Sequence, residues 1–384
     1  MILRREFLAS SAGVLGANDR IRIGIIGAGG RGQYLTGFLQ QLAGVEIAAV
    51  CDVYETNARA VRQQAGGTPE VFSDHRRLLE RGDIDAVVIA PPDHWHTPIL
   101  IDAVHAAKDA YVEKPMTHNA AEGVAAVKAV RASGRIVQVG VQRRSCPSFH
   151  EAKAKYIDSG RIGKITAVRC VWDGNGWFRR GVPGGITAKP ADLDWERFCG
   201  PAPRRPWEPL RYFNWGAYRD YSTGQPGGVF SHLIDVAHWF TGDDKPLHAV
   251  AMGGIYWLQD GRDVPDTLSV VYEYGKGHVV SAEATQASRN ISRTEFFGTG
   301  GTLLMRHRFY SFTPADAKAA VEEAPVVPQP MEPPHVRNWI ECLRSRKAPN
   351  ADVSTGHYTA AACHMGNLAN ERKAIVHWKK EWEV

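Results

Sequence analysis

The run IRIGII at residues 21–26 passes directly into GAGGRG at residues 27–32, and no other feature restricts the fold of this chain so strongly. A short β-branched run closed by glycines reads as a strand buried on both faces. Gly27, Gly29 and Gly32 hold the three positions of a G-x-G-x-x-G fingerprint. The first permits a tight turn, the second lets backbone approach a pyrophosphate with no Cβ in the way, and the third lets the following helix pack closely on the strand. Phosphates would then rest on the helix N-terminus at Gly30 and Arg31, held by unpaired amides and the helix dipole. A glycine-rich turn alone is a weak signal. With a strand before it and a helical pattern after it, it predicts a dinucleotide site.

The alternation continues through VEIAAVC, DAVVIA, AYVE and IVQVGV, with helical patterns beginning near Arg31, Glu55, Asp74, Thr97 and Asn119. Short connections between such segments fit right-handed crossovers in a doubly wound parallel sheet. Asp52 ends the second strand, twenty positions beyond Gly32. A carboxylate there accepts hydrogen bonds from the adenine ribose hydroxyls and repels a 2′-phosphate, so the expected cofactor is NAD in preference to NADP. The alternative is that Asp52 merely caps the next helix.

At 384 residues the chain exceeds what one hydrophobic core supports, so two domains are expected, residues 20–145 and 146–384. Lys and Arg total 46 against 41 Asp and Glu, and the surplus is scattered, which argues against nucleic acid as a partner. No stretch approaches the roughly 20 apolar residues of a membrane span. Six cysteines without a C-x-x-C pair give no zinc knuckle, although an oxidising compartment would permit a disulfide. Residues 1–19 begin MILRREFLASS, a pattern like a twin-arginine export signal, which predicts a periplasmic or otherwise exported protein. A frayed basic leader on a cytoplasmic protein is the alternative.

VVIAPPDHWHTP at 87–98 and YVEKP at 111–115 complete a wider pattern. With the fingerprint, these segments resemble the Gfo/Idh/MocA oxidoreductases, whose fourth strand is followed by P-[ND]-x-x-H and whose fifth ends in E-K-P. VGVQRRS at 139–145, SGRIGKI at 159–165, LDWERFCGPAP at 193–203, DYS at 220–222 and HLIDVAHW at 232–239 extend the resemblance over nearly the whole chain. It implies that Pro92, Asp93, His94, Trp95, His96, Glu113, Lys114 and Gln142 border the cofactor. It also implies that Lys114 and His232 are catalytic, with Arg143, Tyr221 and Asp235 beside the substrate. A strand-end lysine near the nicotinamide can hydrogen-bond a substrate hydroxyl, and desolvation lowers its pKa toward acid–base use. The Lys-Pro peptide of the family is often cis.

After Val141 the regular alternation stops. A helical stretch from Pro147 to Ser159 leads to the strand KITAVRCVWD, and residues 174–228 form a long irregular segment with Trp177, Trp195, Trp207 and Trp215. Loops of that length are usually lids or binding surfaces, although Trp195, inside LDWERF, fits packing better than substrate contact. HLIDVAHWF reads as a helix on which Asp235 could orient the His232 imidazole. His232, Asp235 and His238 at helical spacing converge poorly on an ion, so no metal is assigned. From Asp266 onward, TLSVVYEY, GHVVSAEATQ, RTEFFGTG and GTLLMR read as successive antiparallel strands of one open sheet, whose exposed face needs a partner. Helices at 335–346 and 354–371 close the chain.

The expected fold is therefore an α/β protein, a Rossmann doubly wound parallel sheet followed by an α+β domain with an open, largely antiparallel sheet. The expected activity is NAD-dependent hydride transfer at a sugar, polyol or glycoside hydroxyl carbon in a homodimer or homotetramer. One departure stands out. Many dehydrogenases of the family place an aspartate four residues before the histidine, and here that position is Gly228. This keeps two alternatives open: a glycosidase that recycles NAD through transient ring oxidation, and an NAD-bound sensor without turnover.

Overall fold

The computed structural model describes residues 20–307, 309–324 and 330–384. The twin-arginine reading of residues 1–19 lies outside them. The first sheet contains β1 (Ile21–Ile26), β2 (Val45–Cys51), β3 (Glu70–Phe72), β4 (Ala86–Ile89), β5 (Asp109–Val112) and β6 (Val137–Val139), all parallel, in the order β3-β2-β1-β4-β5-β6. Every residue of β4 and β5 is buried, as strands covered by helices on both faces must be. Those helices are α1 (Gly30–Leu39), α2 (Glu55–Gln64), α3 (His75–Leu79), α4 (Asp93–His105) and α5 (Ala120–Ser133). Asp74 and Asn119 cap α3 and α5 through side-chain oxygens. Strand order reverses between β1 and β4, which opens a ligand crevice at their carboxyl ends.

One boundary differs from expectation. α4 starts at Asp93, not near Thr97, so Asp93 to His96 form its first turn instead of a loop. The extended Pro92 stops the preceding chain, and Asp93 complements the helix dipole there.

The second half holds α6 (Pro147–Ala152), β7 (Ile165–Asp173), α7 (Trp195–Cys199), α8 (Pro209–Phe213), α9 (Ser231–Thr241), β8 (Pro246–Gly254), β9 (Thr267–Tyr274), β10 (His278–Thr285), β11 (Ile291–Gly298), β12 (Gly301–Arg306), β13 (Tyr310–Pro314) and β14 (Glu322–Glu323). It ends with α10 (Glu332–Ser345), α11 (Val353–Arg372) and β15 (Val376–His377). Its sheet runs β14-β13-β12-β11-β7-β10-β9-β8-β15. β10 and β11 are therefore not neighbours, contrary to the successive meander expected. β7 lies between them, parallel to β10 and antiparallel to β11, where Val168 and Cys170 fill the centre of the core. Burial alternates residue by residue along β9, with one face on the core and the other outward.

Two segments tie the halves together. Val336, Trp339, Ile340 and Leu343 of α10 join the core over one face of the first sheet, where α10 lies along α1 and Trp339 packs edge-on against Tyr111 of β5. Residues 174–228 are less irregular than expected. Trp195, Phe198, Tyr218 and Tyr221 build a small core of their own, and the main chain at Asp194 donates to Val53 O at 2.8 Å while Glu55 N donates to Asp192 O at 3.1 Å. Trp195 stacks on Phe198 with 5.1 Å between ring centroids and donates to Arg205 O, so its role is packing.

Candidate active site

A cavity of about 1300 Å³ runs from the carboxyl ends of β1, β2, β4 and β5 to the second sheet. At its first end, Gly27 has φ +87°, and a Cβ there would lie 2.3 Å from Pro91 N. A Cβ on Gly32 would lie 2.1 Å from Gly27 O. Gly32 is absent from the cavity wall, and its place is the contact between helix and strand. Nothing stands within 4 Å of a Cβ on Gly29 or Gly30, so the backbone there is an open cradle at the uncapped start of α1. This fits a dinucleotide pyrophosphate.

Asp52 lines the same end. Its carboxylate accepts from Ala28 N at 2.7 Å and Tyr54 N at 2.8 Å, which fixes it at the mouth of β2 with lone pairs left for ribose hydroxyls. Burial raises its pKa to about 6, against the opposing pull of those two amides. Arg31 donates to Glu113 at 2.7 Å and to Glu332 at 3.3 Å, and Gln142 approaches Glu113 at 3.5 Å. Arg31, Glu113 and Gln142 thus form one linked group on the wall.

Pro92, Asp93, Trp95 and His96 also face the cavity. Asp93 accepts from the backbone and hydroxyl of Thr223, both at 3.0 Å, and His96 bridges the carbonyls of Pro91 and Pro115. His94 does not border the cavity. Its Nε2 meets Phe198 O at 2.9 Å and its ring lies against Tyr221, because the first turn of α4 points successive side chains around the helix.

At the second end, the Lys114-Pro115 peptide is cis. Lys114 Nζ donates to Gly228 O at 2.7 Å, and burial lowers its pKa from the usual lysine value. His232 reaches the same wall from α9, with its ring centroid 5.6 Å from that of Trp172. Burial, then the charges of Lys114 and Arg143, push the imidazole well below the ordinary histidine range, so it is neutral at physiological pH.

Two candidates lie elsewhere. Asp235 is fully buried off the cavity wall, where it pairs with Arg144 at 2.7 Å and meets Thr359 at 3.4 Å. One turn along α9 it faces α11, off the cavity lining, and its hydrogen bonds go to Arg144 and Thr359 and not to His232. Tyr221 is fully buried in the aromatic cluster of Trp195 and Phe198. Arg143, by contrast, lines the cavity, as do Trp172, Trp177, Trp215, Arg180 and Arg306. Of these, Trp172, Arg180 and Arg306 carried no signal in the linear sequence, because only the register of β7 and β12 and the path of residues 174–228 bring them to Lys114. Among the described residues, no group of three His, Cys, Asp or Glu side chains could hold a metal, and the six cysteines are buried and unbridged.

Residues 21–141 match the profile described as an oxidoreductase family with an NAD-binding Rossmann fold, and residues 197–304 match the GFO/IDH/MocA C-terminal domain. The scyllo-inositol 2-dehydrogenase (NAD(+)) of Bacillus subtilis is 34% identical over 348 residues, 86% of this chain and 88% of that relative. The chain belongs to the Gfo/Idh/MocA oxidoreductase family. Other relatives align over a shorter stretch: inositol 2-dehydrogenase 1 of Saccharopolyspora erythraea is 36% identical over 39% of this chain, which spans 45% of that relative's length. Among solved structures, a levoglucosan dehydrogenase in complex with NADH and levoglucosan superposes with a TM-score of 0.74 at 20% identity, covering 94% of this chain and all of that one. At that identity the likeness shows the Gfo/Idh/MocA fold alone.

Proposed function

We propose that the protein is an NAD-dependent dehydrogenase of a sugar or polyol. The observation that carries this reading is the convergence of Lys114 and His232 on one cavity wall, at the far end of a crevice whose near end is the Gly29–Gly30 cradle. The cofactor, when bound, supplies the acceptor for the hydride. The neutral imidazole of His232 takes the hydroxyl proton as the carbon loses its hydride, and the secondary alcohol becomes a ketone. Lys114 is anchored by the Gly228 carbonyl and holds the reacting oxygen through a second N–H. Trp172, Trp177 and Trp215 offer flat apolar surfaces on which sugar rings pack.

The outward face of the second sheet supports a homodimer or homotetramer. Val250 on β8 stands opposite Val271 on β9, next to Met252, which is 66% exposed, and an apolar sheet face of this kind is covered well by a second copy. No helix among the described residues is long and apolar enough to cross a membrane. The Arg4-Arg5 leader supports export by the twin-arginine route.

The test is incubation with NAD and a panel of sugars, polyols, sugar acids and glycosides while NADH is followed. NADH should form with at least one substrate, and Lys114→Ala should lose turnover by roughly 100-fold or more while NAD affinity stays within about twofold. Release of sugar from an aryl glycoside without net NADH would assign the internally recycled reaction instead. Bound NAD with neither product would leave a sensor.

A further inference from the structure

Residues 143 and 144 are both arginines at the end of the first half, and their surroundings differ. Arg144 pairs with the buried Asp235. Arg143 is only 3% exposed, packs against Phe149 and Trp172 with its guanidinium carbon 5.7 and 5.5 Å from the ring centroids, and donates through Nη2 to Ser292 Oγ at 3.0 Å. Its Nε has no hydrogen-bond partner, and it has no ion pair among the described residues. The nearby Asp235 carboxylate acts on Arg143 but is in contact with Arg144, and a buried cation with no carboxylate in contact is costly unless a ligand completes it.

The cavity wall supplies no such counter-charge. Glu113 and Glu332 are paired with Arg31, Asp93 is bonded to Thr223, and Asp52 is held by two backbone amides. Position 228 carries no acid at all. Arg180 and Arg306 border the same cavity, again without an ion pair among the described residues. The cofactor leaves this unmet as well, because its phosphates belong at the Gly29–Gly30 cradle and a nicotinamide ring brings no negative charge.

We propose that the substrate is a sugar acid whose carboxylate is received by Arg143 in the catalytic cavity. This deepens the dehydrogenase reading and rests on it for the word substrate. A single deeply buried guanidinium is matched by a single negative charge, and its fork geometry suits a planar carboxylate. The carboxylate has a second effect. Arg143 is one of the charges that hold the His232 imidazole down, and neutralising it makes that imidazole a better proton acceptor once substrate is bound.

Calorimetry on the NAD-loaded full chain tests this with matched pairs: D-glucuronate against D-glucose, D-galacturonate against D-galactose, and D-gluconate against D-glucitol. At least one acid should bind about tenfold or more tightly than its neutral partner, because a site built around a polar group rejects the analogue that lacks it. The preference should shrink with added salt, vanish in Arg143→Met and survive in part in Arg143→Lys. The wild-type pairs and their salt dependence decide the matter even where a variant fails to fold. Equal binding within every pair, or no binding by any acid, overturns the proposal. Tighter binding of D-glucose 6-phosphate or D-glucose 6-sulfate than of every carboxylate also overturns it. NADH formation is followed separately on the same compounds. Oxidation of neutral partners as efficiently as acids sinks the carboxylate and leaves the dehydrogenase, whereas tight acid binding without NADH from any compound does the reverse.

Discussion

Lys114 is held at 2.7 Å by the main-chain oxygen of Gly228, and the residue that supplies this acceptor has no room for a side chain. A Cβ at position 228 would lie 2.4 Å from Cζ of Phe178. The ring of Phe178 thus fills the space into which an acid at 228 would point, and the lysine is anchored by a carbonyl dipole instead of a carboxylate.

Gly228→Ala should therefore destabilise the protein by about 1 to 3 kcal/mol through overpacking. Phe178→Ala alone should cost about 3 to 5 kcal/mol as a buried ring is lost. In the double variant the ring that clashes is gone, so denaturant unfolding should give a combined cost below the sum by about 1 kcal/mol or more. Simple additivity would show that the two positions do not press on each other.

On the proposed reaction, the pH dependence of oxidation follows from His232 and Lys114. His232 accepts a proton only when neutral, and its pKa is depressed, so kcat/KM should stay level as pH falls through 6.5 and decline only below it. Lys114 must be charged to hold the oxygen, and its pKa is also depressed, so the alkaline limb should begin below 10.5. A profile measured with saturating NAD checks both limbs. An acid limb centred above 6.5 would remove His232 from the role of proton acceptor.

If Asp52 holds the ribose as proposed, it links cofactor affinity to pH. Its carboxylate must be ionised to accept from both ribose hydroxyls, and its pKa lies near 6, so NAD should bind more weakly as pH falls through that value. The same charge should favour NAD over NADP by roughly tenfold or more. Arg59 gives no relief to a 2′-phosphate, since it is exposed and pairs with Glu55 at 2.6 Å. Arg197 does border the cavity, but it stands between Asp74 and Asp194 at 3.7 and 3.6 Å. Dissociation constants for both cofactors at pH 5 and pH 8, in wild type and Asp52→Asn, test the assignment, and equal affinity for NADP in the wild type would refute it.

On the proposed assembly through the outer sheet face, a charge there should separate the subunits without unfolding them. Met252→Asp and Val271→Asp place carboxylates where no core residue is disturbed, because both side chains point away from the core. Sedimentation should report a monomer whose NAD affinity is unchanged. An unaltered oligomer would move the interface elsewhere.

Periodicity and local chemistry made the first half legible. A strand ending in three spaced glycines, an aspartate at the end of the next strand and the E-K-P turn each act within a few residues, and the structure puts Gly29, Asp52 and Lys114 on one cavity. What depends on long-range packing was not legible. His94 and Asp235 sit in matching family blocks, yet helix phase turns one onto Phe198 O and the other onto Arg144. The insertion of β7 between β10 and β11 leaves no trace in strand patterning, since either neighbour accepts the same alternation. The unpartnered Nε of Arg143 is likewise invisible in the string QRRS, where only tertiary partners distinguish one arginine from the next.

The packing of α10 against α1 and against Tyr111 of β5 has a consequence for the order of synthesis. The nucleotide-binding sheet is translated first, but Val336, Trp339 and Ile340, which seal one of its faces, leave the ribosome roughly 200 residues later, about 10 to 40 s at ordinary elongation rates. During that interval Tyr111 and the side of α1 that α10 covers stand open, and Arg31 lacks its Glu332 partner on the cavity wall. The first domain is thus completed by a helix made roughly 200 residues after its sheet, and a product stalled in between exposes an apolar patch that quality-control chaperones can bind.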